Sequence, residues 1–372
     1  MIIWCALAVL AGNVTGDLLT LHPFVYLLLS LVFAVVSVRR PRYWCLLLCM
    51  GMLGAAAVQL GRMPPVAGPS PLAVWASGCK ASFSAWMGRL LPPGDELSVL
   101  QALSIGDKSG LSRDLRSAYR ESGAMHLLAL SGLHVGLVYA LLGWLLRPLG
   151  GGRTARLLRS LLILGLLWTY AVITGLSASI SRAVLMITFY EVSGLLSGDR
   201  DALSALAGSA LLLMIFRPES PRDIGFQLSY TAVLSILLLH PRLSGLLQTR
   251  SRLLRRIWEL LSVSLCCQAT CGVLAWLYFG SFPRYFLLTT LLAIPLTTLI
   301  LYTSAATLAA AGLSALAVHL LMGSDSSIGI DALPAVSHAI LSVLGTLSQT
   351  CAEALRWLLH LLNTLIRIIA SL

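Results

Sequence analysis

The sequence contains little charge, and acidic residues are the scarcest part of it. Only 11% of the 372 residues are charged, with 15 aspartates and glutamates against 26 lysines and arginines. Soluble domains carry roughly 25% charged residues, so a soluble globular fold is excluded. Hydrophobic residues make up 58% of the chain instead, and the mean hydropathy is +0.87. This composition predicts a polytopic membrane protein.

A cysteine pattern typical of disulfide frameworks or metal sites is also lacking. Most of the eight cysteines lie in apolar runs, where a thiol behaves as a small hydrophobe. Cys79 is in an extramembrane segment and has no evident partner in the sequence. We therefore expect no disulfide framework, no bound metal and no cofactor.

Long apolar runs define the fold class. A membrane-spanning helix needs about 20 residues, and candidate spans of this kind recur along most of the chain. They cover residues 18–38, 43–60, 124–146, 157–175, 179–196, 202–216, 224–240, 257–279 and 286–312, followed by 335–351 and 355–372. We predict an all-α transmembrane bundle of about ten spans with short interfacial helices.

The net charge of +11 has two possible explanations, a nucleic-acid partner or the enrichment of basic residues in cytoplasmic loops. Three arginine clusters separate successive spans, and threading the spans in order places all three on one side. They are Arg39, Arg40 and Arg42; Arg147, Arg153, Arg156 and Arg159; and Arg242, Arg250, Arg252, Arg255 and Arg256. The topology explanation accounts for these clusters, and it places residues 62–122 outside the cell.

Residues 62–122 have the composition of a linker. Prolines at 64–65 and 92–93 interrupt it, and residues 73–91 mix aromatic and basic side chains as interfacial helices do. Ser112 is a candidate N-cap for a short helix that carries Arg113, Arg116 and Arg120. These arginines either contact an anionic polymer at the membrane entrance or form the solvated face of an amphipathic helix. The expected segments are thus 1–61, 62–122 and 123–372.

The run 123–136 places two histidines and a serine at membrane depth, where polar groups are by default functional candidates. If the run is one helix, Gly132, Gly136 and Gly143 share one face and favour close helix packing. His126, Ser131 and His134 then lie on the opposite face. The two histidines are too far apart to share a metal ion without a break in the helix. A Ser131–His134 nucleophile pair has no acid in the run to orient it.

Two further polar groups lie in apolar segments. Arg182 follows a serine-rich turn and, at nine residues' spacing, cannot pair with Glu191 on the same helix. It therefore needs a partner on another helix, a phosphate or water, or it extends to the outer membrane interface as a snorkelling arginine. Gln227, Tyr230, Thr231 and Ser235 form a stripe at helical spacing, which either joins helices or lines an aqueous route.

Four segments carry a distinctive pattern, which consists of HLLALSGLHVG at 126–136, residues 175–186 with Ser179 and Arg182, DIGFQLSY at 223–230 and LLAIPL at 291–296. These segments show a resemblance to the membrane domain of the ComEC family of bacterial DNA-uptake proteins. The resemblance extends over nearly the whole chain. It implies a plasma (inner) membrane channel that takes up single-stranded DNA in natural transformation. Arg182 would contact phosphates, and His126, Ser131, His134, Gln227 and Tyr230 would line the path.

The chain also departs from that family's pattern. Residues 62–122 hold no OB-fold module, Thr290 stands where the family has asparagine, and relatives continue with further helices beyond the end of this sequence. No His-x-His-x-Asp-His signature is present, so nuclease activity is not expected. The expected partners are single-stranded DNA, membrane lipid, and other competence proteins: a DNA receptor, a cytoplasmic motor and a separate nuclease. Two alternatives are a membrane enzyme or small-solute transporter using His126, Ser131 and His134, and a truncated, non-conducting assembly subunit.

Overall fold

A computed structural model describes all residues except 19–22, 40–42, 62–70, 129, 197, 248, 281–285, 323–334 and 372. Arg40, Arg42 and the prolines at 64–65 lie outside these residues. The described part is helical and contains no strand. Its α-helices are α1 Ile2–Leu18, α2 Pro23–Arg39, α3 Tyr43–Gly61, α4 Pro71–Leu90, α5 Asp95–Ile105, α6 Arg113–Glu121, α7 Gly132–Leu145, α8 Arg153–Ile173, α9 Ala178–Leu196, α10 Ala202–Phe216, α11 Ile224–Ser244, α12 Arg252–Cys267, α13 Val273–Phe279, α14 Phe286–Met322 and α15 Ala335–Ala370.

Short polar side chains start several of these helices. The Ser112 hydroxyl accepts a hydrogen bond from the Leu115 amide at 3.3 Å, which confirms it as the N-cap of α6. Asp201 caps α10 in the same way, through the Leu203 amide at 3.0 Å. The starts of α6 and α10 are thus determined by residues next to them in the sequence.

The chain divides into two compact units that interleave along the sequence. Unit 1 comprises residues 1–76, 138–172 and 176–282, and unit 2 comprises 77–137, 173–175 and 283–372. The segments expected from the sequence are contiguous stretches, whereas these units are not. The segment boundaries stay a prediction.

In unit 1, α3 packs against α1 and α2, and α10 packs against α1 and α9. Two glycines allow the closest of these approaches, because a Cβ atom at Gly12 would overlap the carbonyl oxygen of Gly51. Small residues that let backbones meet are typical of helix packing in membranes.

In unit 2, α15 packs against α14, α6 and α5. The core is formed by side chains such as Leu103, Leu115, Tyr119, Leu359 and Ile366. At the edge of this core, Arg367 pairs with Asp95 at 2.7 Å and His360 contacts Glu96 at 3.2 Å. Burial acts to raise the pKa of Glu96, but hydrogen bonds from its own backbone amide and from His360 outweigh burial and hold that pKa below its usual value.

Five described helical segments are long and apolar enough to cross a membrane, and four shorter apolar helices accompany them. The fold is therefore the predicted all-α membrane bundle. Two details differ from the expected spans. The expected spans 335–351 and 355–372 are joined, because residues 335–370 form one continuous helix, α15, in which Ala352, Glu353 and Ala354 are good helix formers. The expected span 124–146 is interrupted before Gly132.

Candidate functional site

The run 123–136 is not one helix, contrary to the assumption made from the sequence. Gly123 adopts a left-handed backbone with φ of 74°, a single turn of 3₁₀-helix covers Ala124–His126, and α7 begins only at Gly132. A glycine is favoured at Gly123 because a side chain would be strained there. The helical-wheel relation between His126 and the glycines therefore does not hold.

The His134 ring bonds back to Ser131, the residue that precedes α7. The Ser131 backbone N–H donates to Nδ1 of His134 at 3.3 Å, and the Ser131 hydroxyl lies 3.0 Å from the same nitrogen. A capping box normally uses glutamate or glutamine at this third helical position, and here the imidazole takes that role. Because Nδ1 accepts, the neutral ring carries its proton on Nε2.

The other ring nitrogen of His134 is the unusual part of this arrangement. His134 is only 1% exposed, and its Nε2 has no hydrogen-bond partner among the described residues. No acid therefore orients the ring as a catalytic triad would require. His126 lies on the surface, where its Nδ1 contacts the Gly123 carbonyl oxygen at 2.9 Å. The described residues hold no cluster of three or more metal-ligating side chains.

The α7 glycines were predicted to pack closely against another helix, and no such contact is seen among the described residues. A Cβ atom built at Gly136 or Gly143 would meet no described atom within 4 Å. Gly132 is the first residue of α7. Their packing role stays a prediction.

Helix α6 presents a basic face in unit 2. Arg113, Arg116 and Arg120 are exposed, while Leu115, Ala118 and Tyr119 on the opposite side are buried. Arg116 donates to the Lys108 carbonyl oxygen at 3.0 Å. Burial, with a smaller contribution from the Arg116 charge, lowers the pKa of the Lys108 ammonium. This clustering of cations favours an anionic partner.

In unit 1, Arg182 of α9 has found its partner on another helix. Its Nη1 lies 3.4 Å from Oδ2 of Asp223, the residue that caps α11. Arg182 is only 8% exposed, and its Nε has no partner among the described residues. The guanidinium therefore keeps unused donors in a buried position.

The polar stripe of α11 largely joins helices. Gln227 accepts from the Tyr278 hydroxyl at 2.7 Å and donates to the Pro221 carbonyl at 2.8 Å. Tyr230 donates to Ser209 of α10 at 3.1 Å, and Ser235 donates to the Cys266 carbonyl at 2.6 Å. Of the two roles that the sequence left open, these contacts favour helix association.

The neighbouring helix carries a wide turn that the sequence analysis missed. Residues Gln268–Gly272 form a π-helical turn between α12 and α13. Cys271 in this turn donates its thiol to the Leu228 carbonyl of α11 at 3.3 Å. Such turns free backbone groups and are frequent at functional sites.

A second feature is the buried acid Glu191, whose partners were not predicted from the sequence. Its carboxylate is 1% exposed and accepts hydrogen bonds from Tyr139 of α7, Ser160 of α8 and Arg200, which precedes α10. The Arg200 Nη2 to Glu191 Oε2 distance is 2.8 Å. The signal was present in the sequence, because a glutamate inside an apolar helix requires a partner.

The structure thus groups the predicted site residues in two sets. His126, Ser131 and His134 lie in unit 2 with Arg113, Arg116 and Arg120, whereas Arg182, Gln227 and Tyr230 lie in unit 1. Each set has its own buried and incompletely bonded side chain, His134 in unit 2 and Arg182 in unit 1.

Comparisons with known proteins agree with the motifs. The chain is 36% identical over 149 residues to ComE operon protein 3 of Bacillus subtilis (strain 168), covering 40% of this chain and 19% of that protein. It is 30% identical over 152 residues to competence protein ComA of Neisseria gonorrhoeae, covering 38% and 21%. An uncharacterized Aquifex aeolicus (strain VF5) protein is 30% identical over 131 residues, covering 35% and 30%.

The matched region thus spans between about a fifth and a third of these relatives. No solved structure matches the chain. A family model described as "Competence protein" matches residues 103–372, which is well over half of the sequence. Together with the apolar helices, this match makes the chain an integral membrane protein of the competence protein family, the ComEC family that its motifs resemble.

Proposed function

We propose that this chain forms a path for single-stranded DNA across the bacterial inner membrane during natural transformation. The observation that carries the proposal is Arg182, a buried cation in an apolar helix whose Nε donor is unused. Burying an arginine in an apolar helix is costly, and such residues in membrane helices typically mark ion or substrate pathways. A polyanionic strand needs fixed positive charge along its path.

The basic face of α6 supports the same proposal. Exposed arginines on one side of a short helix offer several sequence-independent phosphate contacts. We propose this face as the entrance, where the strand arrives from a DNA receptor. A cytoplasmic motor and a separate nuclease complete the proposed system, and the chain itself has no nuclease role.

Substitution of Arg182 tests the proposal. In a transformable strain that depends on this chain, Arg182→Gln should lower the uptake of labelled DNA into the nuclease-protected fraction by about tenfold, the loss expected for one charge-assisted hydrogen bond. Arg217→Gln is the matched control, because Arg217 is an exposed arginine in the same unit. Uptake unchanged in Arg182→Gln at normal membrane abundance would contradict the channel proposal. A small-molecule phenotype would then favour the transporter or enzyme alternative.

A triple substitution tests the entrance. Replacing Arg113, Arg116 and Arg120 by glutamine should weaken binding of single-stranded DNA and flatten its salt dependence by about 0.7 in log–log slope for each phosphate that is no longer neutralised. The same change at Arg252, Arg255 and Arg256, which are exposed on α12, is the control. Equal effects of the two triple variants would mean that the α6 face is a solvated surface only.

A further inference from the structure

The Arg182 guanidinium is held at rest by a single carboxylate on one side. The contact to Asp223 uses only Nη1 and is long, at 3.4 Å. Nε is buried without a partner, and Nε and Nη2 form the side edge of the planar guanidinium fork. That edge matches the two oxygens of a phosphate group.

Gly225 keeps space next to this edge. A Cβ atom at position 225 would lie 3.2 Å from Nη2 of Arg182, closer than most side-chain contacts. Any larger residue would crowd the guanidinium.

Asp223 is bound primarily to its own helix. Its Oδ1 accepts from the Gly225 amide at 3.2 Å and its Oδ2 accepts from the Phe226 amide at 3.1 Å. Both of these distances are shorter than the contact with Arg182. The Asp223 side chain is 54% exposed, so the ion pair is open to an incoming group from this side.

We infer that the free edge of Arg182 is a phosphodiester subsite and that Asp223 is a built-in negative charge that keeps the residence of each phosphate short. This inference rests on the proposed function. A transport site must bind well enough to admit its substrate and weakly enough to release it. The carboxylate next to the guanidinium repels the phosphate that the guanidinium attracts, and this balance lets successive nucleotides pass.

The variant Asp223→Asn removes the negative charge but keeps the helix cap, because asparagine caps helices as well as aspartate does. Asp201→Asn is the matched control, since Asp201 caps α10 of the same unit through Leu203 and Ser204. We would measure binding of a fluorescent oligothymidylate to the purified full chain in nanodiscs over a range of salt concentrations. DNA uptake by cells would be measured in parallel.

Asp223→Asn should bind the oligonucleotide on the order of tenfold more tightly, with a log–log salt slope steeper by about 0.7, while DNA uptake falls. Asp201→Asn should change neither quantity. The double variant Arg182→Gln/Asp223→Asn should lose the gain in affinity, because the gain depends on the guanidinium. A merely structural role of Asp223 would lower uptake without tightening binding.

Unchanged or weaker binding by folded Asp223→Asn overturns the inference. If Arg182→Gln still lowers uptake in that case, the proposed DNA path stands without the subsite. Failure of both the wild type and Asp223→Asn to bind the oligonucleotide would overturn the inference and the proposed function together.

Discussion

The side chain of Arg200 crosses α9 directly over Gly194. A Cβ atom at position 194 would lie 2.6 Å from Cγ and 3.0 Å from Nε of Arg200. From there the guanidinium reaches Glu191 and stands 5.5 Å from the centroid of the Tyr190 ring. The absence of a side chain at Gly194 therefore leaves the space through which Arg200 reaches the buried carboxylate of Glu191.

Gly194→Ala should destabilise the protein although alanine favours helices. Alanine is better than glycine in a helix by about 1 kcal/mol, so a net loss reports the clash with Arg200. We expect the free energy of unfolding to fall by about 1–3 kcal/mol, measured by thermal unfolding in detergent. Gly165→Ala in α8 is the control, because its Cβ meets no described atom within 4 Å and stability should hold or rise. Equal changes in stability for the two variants would contradict this role of Gly194.

Breaking the Glu191–Arg200 pair should have unequal effects from its two sides. Arg200→Ala leaves a carboxylate that is 1% exposed without its cation, and we expect a loss of about 3 kcal/mol. Glu191→Gln should cost less, because the Arg200 side chain is 37% exposed and can turn to water. Arg255→Ala and Glu259→Gln, at exposed positions of α12, are the controls. A larger loss for Glu191→Gln than for Arg200→Ala would argue against this account.

The contact between Ser131 and His134 makes a prediction about coupling. Ser131→Ala and His134→Ala should each lower stability by about 1 kcal/mol, since either change removes the hydrogen bond between the Ser131 hydroxyl and the His134 ring. The double variant should lose clearly less than the sum, because both residues make this one bond. His134→Gln should retain most of the stability, since glutamine suits this position in a capping box. Additive losses would show that the two residues act independently.

The hydrogen bond between Tyr119 and Asn363 is buried, with a Tyr119 oxygen to Asn363 Oδ1 distance of 3.0 Å. Tyr119→Phe should cost about 1–3 kcal/mol and speed tryptic cleavage in α6, because it leaves the amide oxygen of Asn363 without a donor. Tyr119→Phe/Asn363→Leu should recover much of this loss, since no polar group is then left unpaired. Tyr278→Phe, which removes a more exposed hydroxyl bond to Gln227, should have a smaller effect. If the double variant recovers no stability, the buried hydrogen bond between Tyr119 and Asn363 is contradicted.

Apolar runs and short polar caps were sufficient to predict the helical membrane fold, since both are local properties of the sequence. Ser112 illustrates this, because its side chain and the amide that it caps are three residues apart. Partners distant in sequence could not be derived in the same way. The need of Arg182 for a partner on another helix was evident, but only packing brings Asp223 to it.

The break before Gly132 shows the other limit of sequence reasoning. Every residue from Ala124 to Leu130 is compatible with a helix, so these residues do not indicate the break. The left-handed backbone of Gly123, which separates α6 from the 3₁₀ turn, is equally hidden in the sequence. A glycine permits that conformation without requiring it. The bond from His134 back to Ser131 was hidden for a different reason. An imidazole is not the usual side chain at the third position of a helix.

The Tyr119–Asn363 bond also bears on how the protein is made. Its two residues are 244 positions apart, so at 5–20 residues per second the ribosome needs roughly 10 to 50 s after α6 before it reaches the anchor of that helix. For that interval a nascent basic helix has no partner in α15. Helix α6 can therefore reach its final position only late in biosynthesis, after most of the other helices have been synthesised.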